Sequence, residues 1–367
     1  MIVDGALTEN ITHPTFKFLN VALNVCANLL ISMNVKSYKK LIAKQLNQDF
    51  KSAVEIVEIP FTQPAANELL IQNKFAGVNG GFDTLLCRGD VPYVNLIPPF
   101  DLGVEAVGEV VALGENVTDF QMGDAVVTTA RGGGYREYQV IDANLAVKVR
   151  EVTPEVLTLM PTGVSALVAL EQVGEMKSDE VVLVTAAAGG TGHIAVQLAK
   201  LAGNHVIGTC SSEAKGKLLR ELGCDHIINY RTENLNQILK EEYPNGINLI
   251  FECVGKQVFD SCVDNLAIRG RLVTIGYISE YALNVEQVLQ PRIYQQLMWK
   301  AASVRGFLMP HYKEYIPSAR DRLLNLFYTD KLKVAIDSTQ FNGIESIPAA
   351  VEYLLTGKNC GKVVVRF

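Results

Sequence analysis

The sequence lacks the cysteine pairing that staples small secreted domains. Its seven cysteines are odd in number and widely spaced, and no two of them form a CxxC pair. Such a set is typical of reduced thiols inside a cell rather than of a disulfide framework. The seven positions are Cys26, Cys87, Cys210, Cys224, Cys253, Cys262 and Cys360.

An excess of positive charge is also lacking. The chain has 39 acidic and 33 basic residues, a formal net charge of −6 and a pI near 5.5. This balance argues against a general nucleic-acid or anionic-membrane surface, so a small molecule is the expected partner. With 49% hydrophobic and 20% charged residues and no repeat or low-complexity tract, the composition is that of an ordinary globular protein.

No apolar run is expected to reach the length needed to span a bilayer. The richest stretch, Phe16 to Val35, is interrupted by Asn24, Asn28 and Asn34, which argues against stable membrane insertion. This stretch belongs to an N-terminal extension, residues 1–35, which is either a surface helix or part of an organelle-targeting segment. The cytoplasm is the expected compartment. The mitochondrion and the peroxisome stay open as alternatives because the N-terminal extension is ambiguous, although the final Val-Arg-Phe is no Ser-Lys-Leu signal.

The chain has two regions with different hydrophobic patterns, and its 367 residues exceed what one hydrophobic core usually serves, so two domains are expected. Short apolar runs punctuated by Gly and Pro between Ala53 and Arg150 predict a β-rich domain. From about Pro154 onward, helical stretches alternate with buried strands, which indicates a parallel sheet with helices on both faces. We therefore predict an α/β protein with a β-rich domain in residues 36–155, a doubly wound nucleotide-binding domain in 156–300, and a return to the first domain in 301–367.

The clearest motif is a glycine-rich turn between a strand and a helix. The apolar strand Val181 to Thr185 leads into Gly189, Gly190 and Gly192, and an amphipathic helix follows up to Lys200. A dinucleotide pyrophosphate needs backbone that it can approach closely and a helix N-terminus with free N–H groups. The motif therefore predicts a dinucleotide site; a P-loop is excluded because no Gly-Lys-Ser/Thr ending follows, and a simple βα turn is the alternative.

The cofactor preference is indicated about 20 residues further on, where an NAD site carries an acid for the ribose 2′-hydroxyl. Here the predicted strand ending at Thr209 is followed by Cys-Ser-Ser-Glu-Ala-Lys, residues 210–215. Two hydroxyls and an ammonium suit a 2′-phosphate, so NADPH is the predicted cofactor. In the alternative interpretation Ser211 only caps the next helix and Lys215 lies on its solvated face, and Glu213 keeps NADH open.

Several segments together resemble one known family. They are Ala186 to Gly192, Gly208 to Ser212, Ile228 to Arg231, Ile275 to Tyr281 and Gly357 to Lys362. Between Asp49 and Phe367 the chain resembles the zinc-free, quinone-oxidoreductase-like branch of the medium-chain dehydrogenase/reductase family, and within it the prostaglandin reductases. The resemblance implies a Rossmann-type doubly wound parallel-sheet domain, a GroES-like catalytic domain, NADPH-dependent chemistry and a homodimer.

The resemblance also implies cofactor roles that spacing alone does not reveal. Lys215 and Tyr230 would hold the 2′-phosphate, Asn359 would lie near the cofactor, and the loop from Thr162 to Ser165 would lie against the nicotinamide. Alternatively, Tyr230 is a half-buried strand-end aromatic and Cys253 a small core residue. The predicted cofactor-binding set is Ser165, Ala188, Gly189, Gly190, Thr191, Gly192, Ser211, Ser212, Lys215, Tyr230, Cys253, Val254, Ile275, Tyr277 and Asn359.

No metal is expected in the site. Metal-dependent members of the family use a Gly-His-Glu segment, and the matching residues here read Gly103-Val104-Glu105, without the imidazole. Cys87 alone does not provide the three protein ligands of a catalytic zinc. Alcohol dehydrogenation without a Lewis acid loses its usual way of stabilising an alkoxide, whereas hydride addition to an activated alkene proceeds without one.

The resemblance implies reduction of the carbon–carbon double bond of an α,β-unsaturated ketone, in the manner of a 15-oxoprostaglandin 13-reductase. The enolate that forms needs a hydrogen-bond donor. Tyr281, which matches a tyrosine of similar reductases, is the predicted catalytic and substrate-binding residue, and Asn79 and Asp83 are further substrate-binding candidates. Leu85 and Leu86 occupy the place where similar enzymes carry a second tyrosine.

Three alternatives stay open: an NADPH-dependent quinone reductase, a non-catalytic NADPH-binding structural or regulatory protein, and a metal-dependent alcohol dehydrogenase. His193, in the first turn of the cofactor helix, is expected on the surface rather than as an acid or base. A pocket for a lipid-like enone substrate is predicted from Phe82, Leu85, Leu86, Tyr93, Tyr281 and Tyr294.

Overall fold

The computed structural model describes residues 36–281 and 291–367, so the predicted extension 1–35 lies outside the described residues. The strands, in chain order, are β1 (Ser37–Ala43), β2 (Val54–Pro60), β3 (Glu68–Gly77), β4 (Phe100–Asp101), β5 (Ala106–Leu113), β6 (Ala125–Thr128), β7 (Tyr138–Asp142), β8 (Ala146–Lys148), β9 (Val181–Val184), β10 (His205–Cys210), β11 (His226–Asn229), β12 (Ile247–Glu252), β13 (Leu266–Thr274), β14 (Ser303–Gly306), β15 (Phe341–Asn342) and β16 (Val364–Arg366).

The helices surround these strands. In chain order they are α1 (Phe50–Ala53), α2 (Gly80–Arg88), α3 (Pro154–Val173), α4 (Gly192–Leu201), α5 (Glu213–Glu221), α6 (Leu235–Glu242), α7 (Lys256–Asp264), α8 (Tyr294–Lys300), α9 (Ile316–Tyr328) and α10 (Ile347–Leu355).

A six-stranded parallel sheet forms the nucleotide-binding half of the fold. Its order is β11-β10-β9-β12-β13-β14, and every neighbouring pair runs parallel. The apolar side chains of its central strands are buried because helices cover both faces. The order reverses between β9 and β12, and an open parallel sheet binds ligands in the crevice at such a switch point. The predicted Rossmann-type doubly wound sheet is confirmed.

A seven-stranded sheet forms the β-rich half. Its order is β15-β16-β3-β5-β6-β8, with β7 pairing β3 outside this path. A three-stranded sheet, β2-β1-β4, lies beside it. The last strand of the chain, β16, pairs antiparallel with β3 near Gly77. This pairing brings the C-terminal residues against the β-rich sheet, while the predicted boundaries at residues 155 and 300 stay predictions.

Helix α3 is a correction to the expectation that no apolar run reaches membrane-spanning length. This helix lies within the described residues, is 20 residues long and has a mean hydropathy of 1.5 over its most apolar stretch. However, 78% of that stretch is buried inside the protein. It packs in the main hydrophobic core together with β9 and α4. The helix widens into π-helical turns at Leu159–Gly163 and Ala169–Val173. The segment ending at Ser165 is therefore helical and not the predicted loop.

Candidate active site

A cleft of about 460 Å³ opens at the switch point of the parallel sheet. The cleft lies between the carboxyl ends of β9, β10 and β12 on one side and, on the other, the start of α2 and the C-terminal segment after α10. The predicted site residues that line it are Asn79, Ala188, Gly189, Gly190, Thr191, Gly192, Ser211, Lys215, Tyr230, Cys253, Val254, Tyr281 and Asn359. One cleft therefore brings together residues from both halves of the fold.

The glycine-rich turn leaves little room for side chains, and none at Gly192. A Cβ atom on Gly192 would lie 2.4 Å from the Ala186 carbonyl oxygen, and one on Gly190 would lie 3.2 Å from the Lys362 side chain. Helix α4 begins at Gly192 with no side-chain cap on its N-terminal N–H groups. Bare backbone and a free helix N-terminus facing the cleft fit a pyrophosphate.

His193 is buried, and its predicted surface position is wrong. Its Nδ1 lies 2.9 Å from the Gly189 carbonyl oxygen, and its Nε2 accepts the Ala335 N–H at 3.0 Å. Because Nε2 accepts, the proton is on Nδ1 and donates to Gly189. Burial lowers the pKa of the imidazole to about 4. His193 therefore acts as a neutral link between the glycine-rich turn and the segment between α9 and β15.

The tip of β10 carries hydroxyls and an ammonium. The Lys215 Nζ donates to the Gly357 carbonyl at 2.7 Å, and burial lowers the pKa of this ammonium. Ser212, not Ser211, caps helix α5, since its Oγ accepts the Lys215 N–H. Ser211 faces the cleft. Glu213 is exposed and pairs with Arg220, so its carboxylate has a partner on the solvent side of α5.

The turn after β12 is held by a buried carboxylate. The Glu252 Oε1 accepts the N–H groups of Val254 at 2.7 Å and of Gly255 at 3.0 Å. Burial raises the pKa of Glu252. The Cys253 N–H donates to the Thr185 hydroxyl at the end of β9. These bonds fix Cys253 and Val254 on the cleft wall.

Tyr281 packs against the start of α2 and lines the cleft. A Cβ atom on Gly81 would lie 2.4 Å from the Tyr281 ring, so this glycine allows the ring to pack on the helix. The Tyr281 hydroxyl accepts the Tyr277 N–H at 3.3 Å and keeps its own proton for a second bond. Burial raises the pKa of this phenol to about 12, so it is a neutral donor at pH 7.

A buried polar cluster forms the floor of the cleft. Asn79 is a predicted substrate-binding residue and Thr162 begins the segment predicted to lie against the nicotinamide, whereas Glu105 and Lys362 are not among the predicted site residues. The Lys362 Nζ lies 2.6 Å from the Glu105 Oε1 and donates to the side chains of Asn79 and Thr162. Asn79, Thr162 and Lys362 line the cleft. The sequence signals for Thr162 and Lys362 are weak. Thr162 is the first residue of the Thr162 to Ser165 segment, and Lys362 is the last residue of the Gly357 to Lys362 segment that carries part of the family resemblance.

Five predicted site residues lie outside the cleft lining. Asp83 is buried beneath it, where its Oδ2 accepts the Tyr135 hydroxyl at 2.5 Å and burial raises the pKa of its carboxyl to about 7. Its side chain is therefore engaged with Tyr135 and not offered to substrate. The other four are Ser165, one helical turn beyond Thr162; Ser212, which caps α5; Ile275, which packs on the main core; and Tyr277, whose ring packs on Tyr281.

The predicted apolar pocket is only partly assembled. Phe82 and Tyr281 line the cleft. Leu86 is buried, and both it and the half-buried Leu85 pack in the core of the β-rich half, while Tyr93 and Tyr294 are exposed. The apolar lining comes instead from Val78, Ile278, Leu354, Leu355 and Val363. Within residues 36–281 and 291–367, no group of three or more His, Cys, Asp or Glu side chains is placed to hold a metal ion.

A glycine-rich turn at the switch point of a parallel sheet, facing a β-rich domain across a cleft, defines a nicotinamide-dependent oxidoreductase. Two family models match the chain: the alcohol dehydrogenase GroES-like domain over residues 65–151 and the zinc-binding dehydrogenase over residues 190–325. The chain belongs to the medium-chain dehydrogenase/reductase family, in its quinone-oxidoreductase-like branch.

Individual relatives cover nearly the whole chain. It is 41% identical over 340 residues to prostaglandin reductase-3 of Mus musculus, covering 90% of this chain and 89% of that protein. It is 39% identical over 335 residues to a "Probable quinone oxidoreductase" of Leishmania amazonensis, covering 90% and 98%. The crystal structure of Escherichia coli quinone oxidoreductase complexed with NADPH has a TM-score of 0.76 and 26% identity, covering 90% of this chain and all of that one.

Proposed function

We propose that this protein catalyses the NADPH-dependent reduction of the carbon–carbon double bond of α,β-unsaturated ketones. The observation that carries the proposal is that Tyr281 and the glycine-rich turn line the same cleft. A neutral phenol beside a nicotinamide site suits a reaction in which negative charge develops on a carbonyl oxygen. The name of the mouse relative, prostaglandin reductase-3, supports a prostaglandin-like substrate, and we propose a 15-oxoprostaglandin as its form.

NADPH is the proposed cofactor because of the residues at the tip of β10. Ser211, Lys215 and Tyr230 line this end of the cleft, and the only carboxylate nearby in sequence, Glu213, pairs with Arg220. Hydroxyls and an ammonium match a 2′-phosphate better than a 2′-hydroxyl. The E. coli structure with NADPH supports the same choice.

The proposed chemistry divides between cofactor and protein. When bound, the reduced nicotinamide supplies the hydride, which adds to the β-carbon of the enone. The electron pair of the double bond then moves to the carbonyl oxygen, where Tyr281 donates a hydrogen bond, and a proton from solvent completes the saturated ketone at the α-carbon. The apolar side chains of Phe82 and Leu354 limit the access of water to the reacting atoms.

The test is the loss of NADPH absorbance with a 15-keto-prostaglandin, a short alkenal and a quinone as oxidants. We expect the ketone to be reduced faster than the quinone, and the Tyr281→Phe variant to lose roughly 10- to 100-fold in kcat. Tyr294→Phe is the matched control, since Tyr294 is exposed and outside the cleft lining. Its kcat should equal that of the wild type.

Two results would point elsewhere. A quinone reduced much faster than every enone would favour the second candidate, a quinone reductase, which the names of the Leishmania and E. coli relatives support. NADPH binding without turnover of any oxidant would indicate a non-catalytic NADPH-binding protein. The homodimer and the cytoplasmic compartment stay predictions.

A further inference from the structure

The Lys362 ammonium beneath the cleft has used all of its hydrogen-bond donors. Its side chain is 4% exposed and that of Glu105 is 0% exposed, with 2.6 Å between Nζ and Oε1. The same Nζ donates to the Asn79 Oδ1 at 3.0 Å and to the Thr162 Oγ1 at 3.1 Å. An ammonium has three N–H bonds. Lys362 therefore acts on a ligand only through the groups that it holds.

The ion pair fixes the orientation of the Asn79 amide. Because an ammonium only donates and a carboxylate only accepts, the amide oxygen must face Lys362 and the amide nitrogen must face Glu105. The Asn79 Nδ2 donates to the Glu105 Oε1 at 2.7 Å, which uses one of its two N–H bonds. Asn79 stands at the N-cap position of α2, yet its side chain makes no capping bond. Its second N–H is left at the cleft.

The ion pair also fixes the role of the Thr162 hydroxyl. The Thr162 Oγ1 accepts from Lys362, so the hydroxyl proton must point in another direction, and it has no acceptor among the described residues. Thr162 lies in the π-helical turn Leu159–Gly163 of α3, and such turns are frequent at functional sites. A second donor is thus held at the wall of the cleft.

Gly77 is required for this arrangement. A Cβ atom there would lie 2.3 Å from the Glu105 Oε1, so the Glu105 carboxylate reaches Asn79 only because the strand before it ends in glycine. Two of the three residues of the Gly-Val-Asn segment, Gly77 and Asn79, thus serve one purpose. They bring the carboxylate under the amide.

We infer that the Lys362–Glu105 ion pair is a positioning device that points two donors, the second Asn79 N–H and the Thr162 O–H, at the carbonyl oxygen of the enone. This inference rests on the proposed function and deepens it. Negative charge develops on that oxygen during hydride addition, and donors already in place stabilise it without reorganisation. They act in addition to Tyr281, whose ring packs against Gly81 at the start of α2.

The first test replaces the Thr162 hydroxyl. Thr162→Val should lower kcat for the enone by roughly 10- to 100-fold, and Thr162→Ser should restore most of it because the hydroxyl returns. Thr158→Val is the matched control: Thr158 is buried one helical turn earlier, and its hydroxyl bonds only the Pro154 carbonyl. Fluorescence titration should give the same NADPH dissociation constant for all four proteins.

The second test removes the ion pair without leaving a lone buried charge. The double variant Lys362→Met/Glu105→Gln is neutral and similar in volume, so it is expected to fold, which thermal unfolding checks. We expect it to lose kcat to about the extent of Thr162→Val. Adding Thr162→Val to this background should then cost less than about threefold, because residues that act as a unit are non-additive.

Three results would overturn the inference while leaving the proposed function intact. The first is a wild-type kcat in Thr162→Val. The second is a triple variant whose loss of kcat equals the product of the loss in Thr162→Val and the loss in Lys362→Met/Glu105→Gln. The third is an NADPH dissociation constant that rises by the same factor as kcat falls, which would assign the donors to the cofactor. Failure of the proposed function itself is seen separately, as wild-type protein that binds NADPH and reduces no enone.

Discussion

His193 makes the stability of the protein depend on pH. Burial lowers the pKa of its imidazole to about 4 in the folded state, whereas an unfolded histidine titrates near 6.5. The unfolded chain therefore binds the proton first. The stabilisation is complete above pH ~6.5 and is lost as the pH falls toward 4, by about 3 kcal/mol from this residue.

The corresponding measurement is urea unfolding between pH 7 and pH 4. We expect the free energy of unfolding of His193→Gln to fall less steeply with decreasing pH than that of the wild type. His311→Gln is the matched control, because His311 is exposed, and it should follow the wild-type slope. Equal slopes for the wild type and His193→Gln would contradict the prediction.

Lys215 is the residue on which the proposed cofactor preference depends. Its ammonium lies at the tip of β10, where the 2′-phosphate is proposed to bind. Lys215→Ala should lower kcat/KM for NADPH by roughly 10- to 100-fold, since a charge-assisted bond to phosphate contributes about 1.5–3 kcal/mol, and should leave the value for NADH almost unchanged. Lys217→Ala, on the exposed side of the same helix, is the control; equal losses with both cofactors would refute the assignment.

At the scale of the element, the strand–turn–helix unit β9–α4 depends on Gly192. A Cβ atom there would lie 2.4 Å from the Ala186 carbonyl oxygen and 2.8 Å from the Ala187 Cα, and backbone cannot move aside without displacing the turn. Gly192→Ala should weaken NADPH binding at least tenfold, on the order of 1.4 kcal/mol, and lower Tm. Gly306→Ala on β14 is the control, because its Cβ would meet nothing within 4 Å.

The same element shows what the sequence can predict. Strand, turn and helix are local patterns: the predicted strand Val181 to Thr185 agrees with β9 within one residue, and the predicted strand end at Thr209 lies one residue before the end of β10. The burial of His193 is not a local property, because its acceptor role depends on the Ala335 N–H from a distant part of the chain. The burial of Leu86 in the core also depends on contacts with distant residues, so the leucines that follow Asn79 in the sequence did not reveal it.

At the scale of the whole molecule, three consecutive residues join the two halves of the cleft. The Gly361 N–H donates to the Ala188 carbonyl in the glycine-rich turn, Lys362 pairs with Glu105 of the β-rich half, and the Val363 carbonyl accepts the Val78 N–H. The candidate site is therefore complete only when the C-terminal segment contacts both the glycine-rich turn and the β-rich half. No sequence pattern predicts the contact between Lys362 and Glu105, since each residue alone is ordinary.

The Lys362–Glu105 ion pair should make the free energy of unfolding fall more in the single variant than in the double variant. Lys362→Met leaves the Glu105 carboxylate buried without its cation, and removing one partner of a buried pair costs about 3–5 kcal/mol. Lys362→Met/Glu105→Gln leaves no buried charge and should recover most of that loss in urea unfolding. Lys39→Met provides the control, because Lys39 and Glu345 form an exposed pair, and exposed ion pairs add little to stability. A double variant as unstable as the single one would show that the loss comes from packing of the lysine stem rather than from the lone carboxylate.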